Sequence, residues 1–508
     1  MAALQSLGFQ TQDSIPKELL PYHTYFSSMV LCVYDNILGP TLLKVWLSAP
    51  LTGPELPQAQ SPLYSSLSVS SNYEKIVQPE APSMDQLILI SSYVIKDEAC
   101  REDKINGIET KFYALEKFDL IASSFIFRAP LRGGKMALFA FYVTLPYKEL
   151  AEFMPRYSLC EDKIRSILKK QIINKMEEKK YERPVKGLIG EQVEEFLCDF
   201  SHKLQGLSQV MLSVRYESIP LDITVDDTIL GFENSKLKGW IDFLSEAITC
   251  HLQIGGHTVI FGEDKDIIMK MLNTLALFLS PKERKMSRIV PQSKSEGKRY
   301  IPNLFLQGYV KKPDGSFPFP LDYLWKSKFP STVIDMDKNK IYTNESTVPV
   351  YLRRKHENNS ANTNGYAKTL DDLLPFEKGK VSHTVKDFIR QIMLLPMSDG
   401  SRDLFIDQFM RLLQLKAITA CKYIEAEIET AVTATDSSSG TVWHVKGEDT
   451  MPKVNKDILM KELGLGESPM DLSVILCFAE KIRPNSYKDV LGDPQKDIEH
   501  ILTDLEFV

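Results

Sequence analysis

The sequence predicts a mixed fold of the α+β and α/β classes: an antiparallel sheet with helices, then an α/β unit, then a helical end. Three patterns carry this expectation. Between Met29 and Trp46 two β-branched and aromatic runs, VLCVYD and TLLKVW, flank a turn at Asn36 to Pro40, which is the signature of a hairpin. At His257 to Phe261 a short run bounded by glycines, HTVIF, leads into an apolar helical pattern from Asp266 to Leu279, a buried strand-then-helix unit. From Phe405 to Ile424 the residues Phe405, Phe409, Leu412, Leu413, Leu415, Ile418, Cys421 and Ile424 recur at i, i+3, i+4 spacing and give a helix one broad apolar face.

In chain order, residues 1–26 read as an N-terminal tail and 27–180 as a first domain. A Pro-, Ser- and Gln-rich stretch at about 50–84 lacks apolar periodicity and interrupts that domain as a flexible insertion. Strand patterns follow at Thr110 to Glu116, Leu120 to Phe127 and Met136 to Leu145, the last two joined by a turn holding Arg132, Gly133 and Gly134. Pro146 stops the last strand, and Leu150, Phe153, Met154, Ile164, Ile167 and Leu168 recur at helical spacing. Residues 181–220 read as a linker helix, helical from Val193 to Leu212.

A central domain over 221–350 opens with an amphipathic helix, Trp240 to Gln253, stopped by Gly255 and Gly256. Past Ser280-Pro281 a basic loop at about 282–300 carries Lys282, Arg284, Lys285, Arg288, Lys294, Lys298 and Arg299. Strands are expected at Leu304 to Val310, Thr332 to Asp335 and Lys340 to Tyr342, with Asp337 and Asn339 in a turn. Residues 351–375 are a polar loop, and 376–508 a helical part. There Ser468 is the expected N-cap, Pro469 the first helical residue and Asp471 the acid at N3 of a helix running to Ile482.

Bulk properties exclude several function classes. At 508 residues the chain exceeds what one hydrophobic core supports, so two or three domains are required. A formal charge of −6 lacks the basic footprint that nucleic-acid binding needs. The longest apolar stretch, around Met271 to Leu279, is too short to span a bilayer, and the first twenty residues lack the pattern of a secretory signal. The seven cysteines (Cys32, Cys100, Cys160, Cys198, Cys250, Cys421 and Cys477) show no CxxC pair or zinc-ligand spacing and read as reduced, mostly buried thiols of a cytosolic protein.

Motifs for catalysis are missing. No G-x-x-x-x-G-K-[ST] loop occurs to hold phosphates, no HExxH to hold zinc and no G-x-S-x-G to present a serine. His251 and His257, six apart, lack partners at metal-ligand spacing. No catalytic residue, cofactor or metal is therefore expected. Arg128 or Arg132 could face a nucleotide as an arginine finger, or be surface residues. Lys282, Arg284, Lys285 and Arg288 suit an anionic membrane or an acidic partner, and equally a solvated loop. The aromatic strand around Phe139, Phe141 and Val143 is the candidate for pairing with a partner's strand.

Several segments resemble the longin- and DENN-type family of small-GTPase regulators. They are Asp35-Asn36-Ile37-Leu38-Gly39-Pro40 with Trp46, Leu277-Phe278-Leu279-Ser280-Pro281-Lys282-Glu283-Arg284-Lys285, and Gln307-Gly308 with Gly315-Ser316-Phe317. Two more are Lys416-Ala417-Ile418 with Lys422-Tyr423-Ile424-Glu425, and Ala479-Glu480-Lys481-Ile482-Arg483-Pro484. The insertion at 50–84 and Tyr34 mark a divergent, non-vertebrate relative. In such a relative Asp35, Asn36, Leu38, Gly39, Pro40, Trp46, Gln307 and Gly308 define the fold rather than catalyse.

The resemblance implies a longin domain followed by a DENN module, acting as a non-catalytic subunit beside a larger longin/DENN protein and a WD-repeat protein. It implies Rab- and Arf-type GTPases as targets, and a cytoplasmic protein recruited to lysosomes, endosomes and autophagosomes. Guanine-nucleotide exchange by the chain itself is the alternative.

Overall fold

The computed structural model describes residues 16–20, 24–35, 39–48, 79–99, 107–182, 189–290, 300–326, 330–344, 377–396, 400–437, 454–466 and 468–491. Asn36, Leu38, Cys100, the 351–375 loop, most of the 50–84 insertion and residues 291–299 of the basic loop lie outside the described residues. The fold is mixed α/β, in two compact units divided between Tyr216 and Glu217.

The first unit runs β1 (Lys17–Leu20), β2 (Ser28–Asp35), β3 (Gly39–Ser48), α1 (Met84–Ala99), β4 (Ile108–Leu115), β5 (Leu120–Pro130), β6 (Met136–Pro146), α2 (Tyr157–Leu168), α3 (Asn174–Lys179) and α4 (Ile189–Tyr216). Its sheet has the order β1-β3-β2-β6-β5-β4. Every pairing is antiparallel except β1 with β3. Gly39 opens β3 at φ +78°, a backbone conformation that glycine adopts without steric cost.

Helices cover both faces of this sheet, so its strands are apolar on both sides. On one face Leu87, Ile90, Val94 and Ile95 of α1 pack on Val30, Val45, Ala140 and Tyr142, and the Tyr142 hydroxyl donates to the Leu87 carbonyl at 2.8 Å. On the other, Phe141 meets Phe200 of α4 edge-on at 5.4 Å. There Trp46 Nε1 donates to Ser201 Oγ at 2.8 Å.

Four expectations change here. Part of the 1–26 tail is strand β1, held by its pairing with β3 rather than by any pattern of its own. Helix α1 is new: its run LILISSYVI reads equally as strand, and only packing on the sheet decides it. The 181–220 linker contains α4, whose Phe196, Phe200, Leu204, Leu207 and Met211 are buried, so this helix is part of the first unit. Phe139, Phe141 and Val143 lie fully buried in β6, hydrogen-bonded on both sides to β2 and β5. No edge is left there for a partner strand.

The second unit runs α5 (Ile241–Gln253), β7 (Thr258–Gly262), α6 (Lys265–Ala276), α7 (Pro281–Lys285), β8 (Leu306–Val310), β9 (Ser331–Asp335), β10 (Lys340–Asn344), β11 (Glu377–Lys378), α8 (His383–Ile392), α9 (Ser401–Ser437), α10 (Lys456–Glu462), α11 (Pro469–Ile482) and α12 (Ser486–Leu491). The sheet order is β11-β10-β9-β7-β8, with β7 parallel to β8 and to β9. Phe261, Tyr309, Phe319 and Val333 form an aromatic core on one face. Ile260 and Ile334 face the helices on the other. Phe388 of α8 stacks on Phe409 of α9 at 4.1 Å within that helical core.

Two local expectations are corrected. The stretch after Ser280 begins as helix α7, not loop, because Ser280 and Glu283 form a reciprocal capping box. Asp471 does not reach back to its own N-cap. It is buried and accepts from Ser382 Oγ and from the Thr384 amide at 3.2 Å, capping α8 instead.

Candidate functional site

The carboxyl ends of parallel strands are where α/β sheets usually bind ligands. At that end of the second sheet Lys311 follows β8, Asp335 closes β9 and Asp337 stands in the turn to β10. The Lys311 ammonium lies 2.6 Å from Asp335 Oδ1 and 2.7 Å from Asp337 Oδ2. Asp335 Oδ1 also accepts from the amides of Asp337 and Lys338, each at 3.2 Å, and Asp337 Oδ1 accepts from the Glu263 amide at 3.0 Å.

Burial opposes the charge on Lys311, but hydrogen bonds to the two carboxylates outweigh it, and the ammonium pKa is raised. Asp335 is fully buried, and its Oδ2 has no hydrogen-bond partner among the described residues. The usual ligand end is thus closed by an internal ion pair. Sequence reasoning missed this cluster apart from Asp337, read as a turn residue, since no local spacing joins position 311 to 335.

Gly308 and Gln307 have physical reasons for their identity. A side chain on Gly308 would meet Leu272 Cδ1 at 2.6 Å and Ile268 and Val290 at 2.9 Å, so only glycine lets α6 lie this close to β8. The Gln307 side chain donates to the Ile301 carbonyl at 2.8 Å, and its oxygen accepts from the Ile301 amide and the Tyr309 hydroxyl. Asp35, Gly39 and Pro40 lie at the two strand ends of the hairpin.

The basic candidates separate. Arg284 donates to the carbonyls of Ala276, Leu279 and Leu221. Arg288 is 3% exposed, 3.8 Å from Glu217 and over the ring of Tyr309. Both are therefore structural cations rather than surface ones, while Lys282 is exposed on α7. Arg128 lies inside β5 opposite Leu138. Arg132 bridges Glu182 at 3.2 Å and Glu195 at 2.9 Å, which commits its guanidinium to the first unit's own surface.

His251 and His257 are buried neutral groups. His251 Nδ1 lies 2.9 Å from Thr258 Oγ1, and His257 donates through Nδ1 to the Leu304 carbonyl at 3.0 Å. Burial pushes their pKa values down to about 3 and about 4. With Gly255, Gly256, Cys477 and Lys481, His251 lines a small pocket in which burial lifts the Cys477 thiol to about 11. Such a thiol is inert as a nucleophile. Among the described residues no three His, Cys, Asp or Glu side chains converge as metal ligands. Among them, too, no helix is long and apolar enough to cross a membrane.

What the described surface offers is contact rather than chemistry. Among the described strands β4 ends the first sheet and pairs with β5, and Arg165 donates to its Ile108 carbonyl. α1 leaves Ile88, Leu89 and Tyr93 exposed at 36%, 40% and 54%. An exposed apolar face docks partners.

Known proteins resemble this chain along most of its length. The "Guanine nucleotide exchange factor C9orf72 homolog" proteins of Rattus norvegicus and Mus musculus are each 25% identical over 491 residues, covering 91% of this chain and 90% of theirs. The "Guanine nucleotide exchange factor C9orf72" of Homo sapiens is 25% identical over 485 residues, with the same coverage. The model of the C9orf72-like protein family matches residues 89–347, just over half of the chain. With that model matching just over half of its length, this chain is a divergent member of the C9orf72-like protein family.

Proposed function

We propose that the chain regulates small GTPases of the Rab or Arf type through surface contact, as a non-catalytic subunit of a longin/DENN complex in autophagy and endolysosomal trafficking. The observation that carries this reading is the contrast between buried, internally paired polar groups and an exposed apolar helix face. Lys311, Arg284, Arg288 and Arg132 are all committed to internal partners, whereas α1 leaves Ile88, Leu89 and Tyr93 exposed. The exposed face of α1 replaces the buried Phe139 to Val143 strand as the place where a larger longin/DENN partner docks.

The family relationship supports a GTPase as the target, because the relatives are named as exchange factors. Exchange by the chain itself is the second reading, favoured by those names, and it needs no catalytic side chain. Two assays decide between them. GTP hydrolysis and mant-GDP release are measured on a Rab and Arf panel, with the purified chain alone and with a co-purified partner. Stimulation of hydrolysis only in the complex supports the subunit role. Fast mant-GDP release by the chain alone replaces it with exchange, and no effect on any GTPase in either state removes both.

A further inference from the structure

The cluster at the carboxyl ends of β7, β8 and β9 sets an amine in direct contact with a carboxyl group. The Lys311 amide donates to the Gly262 carbonyl at 2.8 Å, which fixes its backbone beside the end of β7. Its side chain crosses β7 to reach β9, since β7 stands between β8 and β9 in the sheet. That side chain is 4% exposed and the one of Asp335 is 0% exposed. The Phe317 ring lies 5.6 Å from Nζ and 4.9 Å from the Phe261 ring. Burial of this kind keeps out the water that would compete with an amine for a carboxyl carbon.

The two oxygens of Asp335 have different surroundings. Oδ1 receives the Lys311 ammonium at 2.6 Å and the amides of Asp337 and Lys338 at 3.2 Å each. Two backbone donors on one oxygen stabilise the negative charge that develops when a nucleophile adds to a carbonyl carbon. Oδ2 is buried and has no hydrogen-bond partner among the described residues. Buried polar oxygens are normally hydrogen-bonded, so a purely ionic role leaves Oδ2 unexplained. Its apolar surroundings favour a proton there over a charge. Asp337 supplies the base: its Oδ2 lies 2.7 Å from Nζ, and the Glu263 amide holds its Oδ1 at 3.0 Å.

We propose that Lys311 and Asp335 condense to an amide that joins β8 to β9 across β7, with Asp337 as the catalytic residue that carries the protons. The ion pair and a neutral amine beside a carboxylic acid hold the same number of protons. One proton passed from Nζ through Asp337 to Asp335 Oδ2 therefore prepares both partners. Nζ then attacks Cγ, which forms the C–N bond and places the negative charge on Oδ1. Asp337 removes a second proton from the nitrogen and gives it to the Oδ2 hydroxyl. The Cγ–Oδ2 bond breaks, the charge on Oδ1 returns as the carbonyl bond, and one water leaves. The nitrogen keeps one hydrogen, Asp337 ends as it began, and no oxidant or cofactor takes part. Holding the reacting groups in contact supplies the activation that solution lacks. Hydrogen bonds keep the proton on Lys311 at rest, so the conversion is slow.

Denaturing intact-mass measurement of the full chain, freshly purified and after days in native buffer, tests this. The unmodified sequence gives a growing species lighter by one water, and its tryptic map contains a branched peptide joining Lys311 to Asp335. Lys311→Arg keeps the positive charge without a primary amine and forms none of it. Asp337→Asn keeps the Lys311 contact with Asp335 but removes the base, and slows growth by roughly a hundredfold. A purely structural Asp337 would leave that rate unchanged. Matching circular dichroism of the variants is the folding control. Absence of the branched peptide from the incubated chain overturns the proposal. A lighter species that persists in Lys311→Arg also overturns it, assigning the lost water to another reaction such as cyclisation at Asp314-Gly315. A branch found at Asp337 overturns the assignment of Asp335 as acceptor.

Discussion

In the first unit the sheet ends at β4 with eight residues of half-buried strand, whereas in the second the carboxyl ends of β7, β8 and β9 are closed by Lys311 between two aspartates. The first sheet is covered on its two faces by α1 and by α4, and α1 leaves Ile88, Leu89 and Tyr93 exposed. The second tucks its charges inside, where removing one strands the other.

The largest test of that contrast is Lys311→Met. It leaves Asp335 buried without its cation and is expected to cost roughly 3–5 kcal/mol in urea unfolding of the second unit. Adding Asp335→Asn is expected to return most of the loss. If Lys311→Met alone leaves the unfolding midpoint unchanged, the closed end does not stabilise this unit.

Acid provides a second test. His251 and His257 are neutral when folded, with pKa values pushed down to about 3 and about 4, while in the unfolded chain each binds a proton near pH 6.5. Their contribution is complete above pH 6.5 and is lost as pH falls toward the folded values. By pH 5.5 about 3 kcal/mol is gone from the second unit. The one described histidine of the first unit, His202, is exposed, so no such loss is expected there. Urea midpoints across pH, with His251→Phe flattening the slope, check the sign.

Ser201→Ala is expected to cost the first unit about 1 kcal/mol, because it strips the buried Trp46 indole of its acceptor. Thermal unfolding of the unit reads this directly. The smallest stability effect is expected from Ile88→Asp with Tyr93→Asp on α1, within about 0.5 kcal/mol, since both side chains are exposed. The same pair is expected to reduce co-purification of a partner. Unchanged capture would move the contact surface off α1.

Much of the fold was legible because its signals are local. The β2–β3 hairpin, the strand-then-helix unit at β7 and α6, and α11 from Pro469 to Ile482 follow from turn residues, periodicity and caps in adjacent positions. Local signal failed where pairing carried the information. β1 has four residues and no pattern, and the LILISSYVI run of α1 fits either period. Of the candidate residues, Trp46, Gln307 and Gly308 lie buried. Arg284, Arg288 and the β6 aromatics were misplaced, because composition does not report burial.

The sequence alone determined the α/β mixture, the absence of a phosphate-binding loop and the family, all of which rest on residue types and near-neighbour spacing. Only the tertiary structure decided that α4 completes the first unit, that β6 is central and β4 the edge, and that Lys311, Asp335 and Asp337 meet. Strand order and ion pairing join residues far apart in the chain, and the free energy that selects them comes from burying many side chains at once.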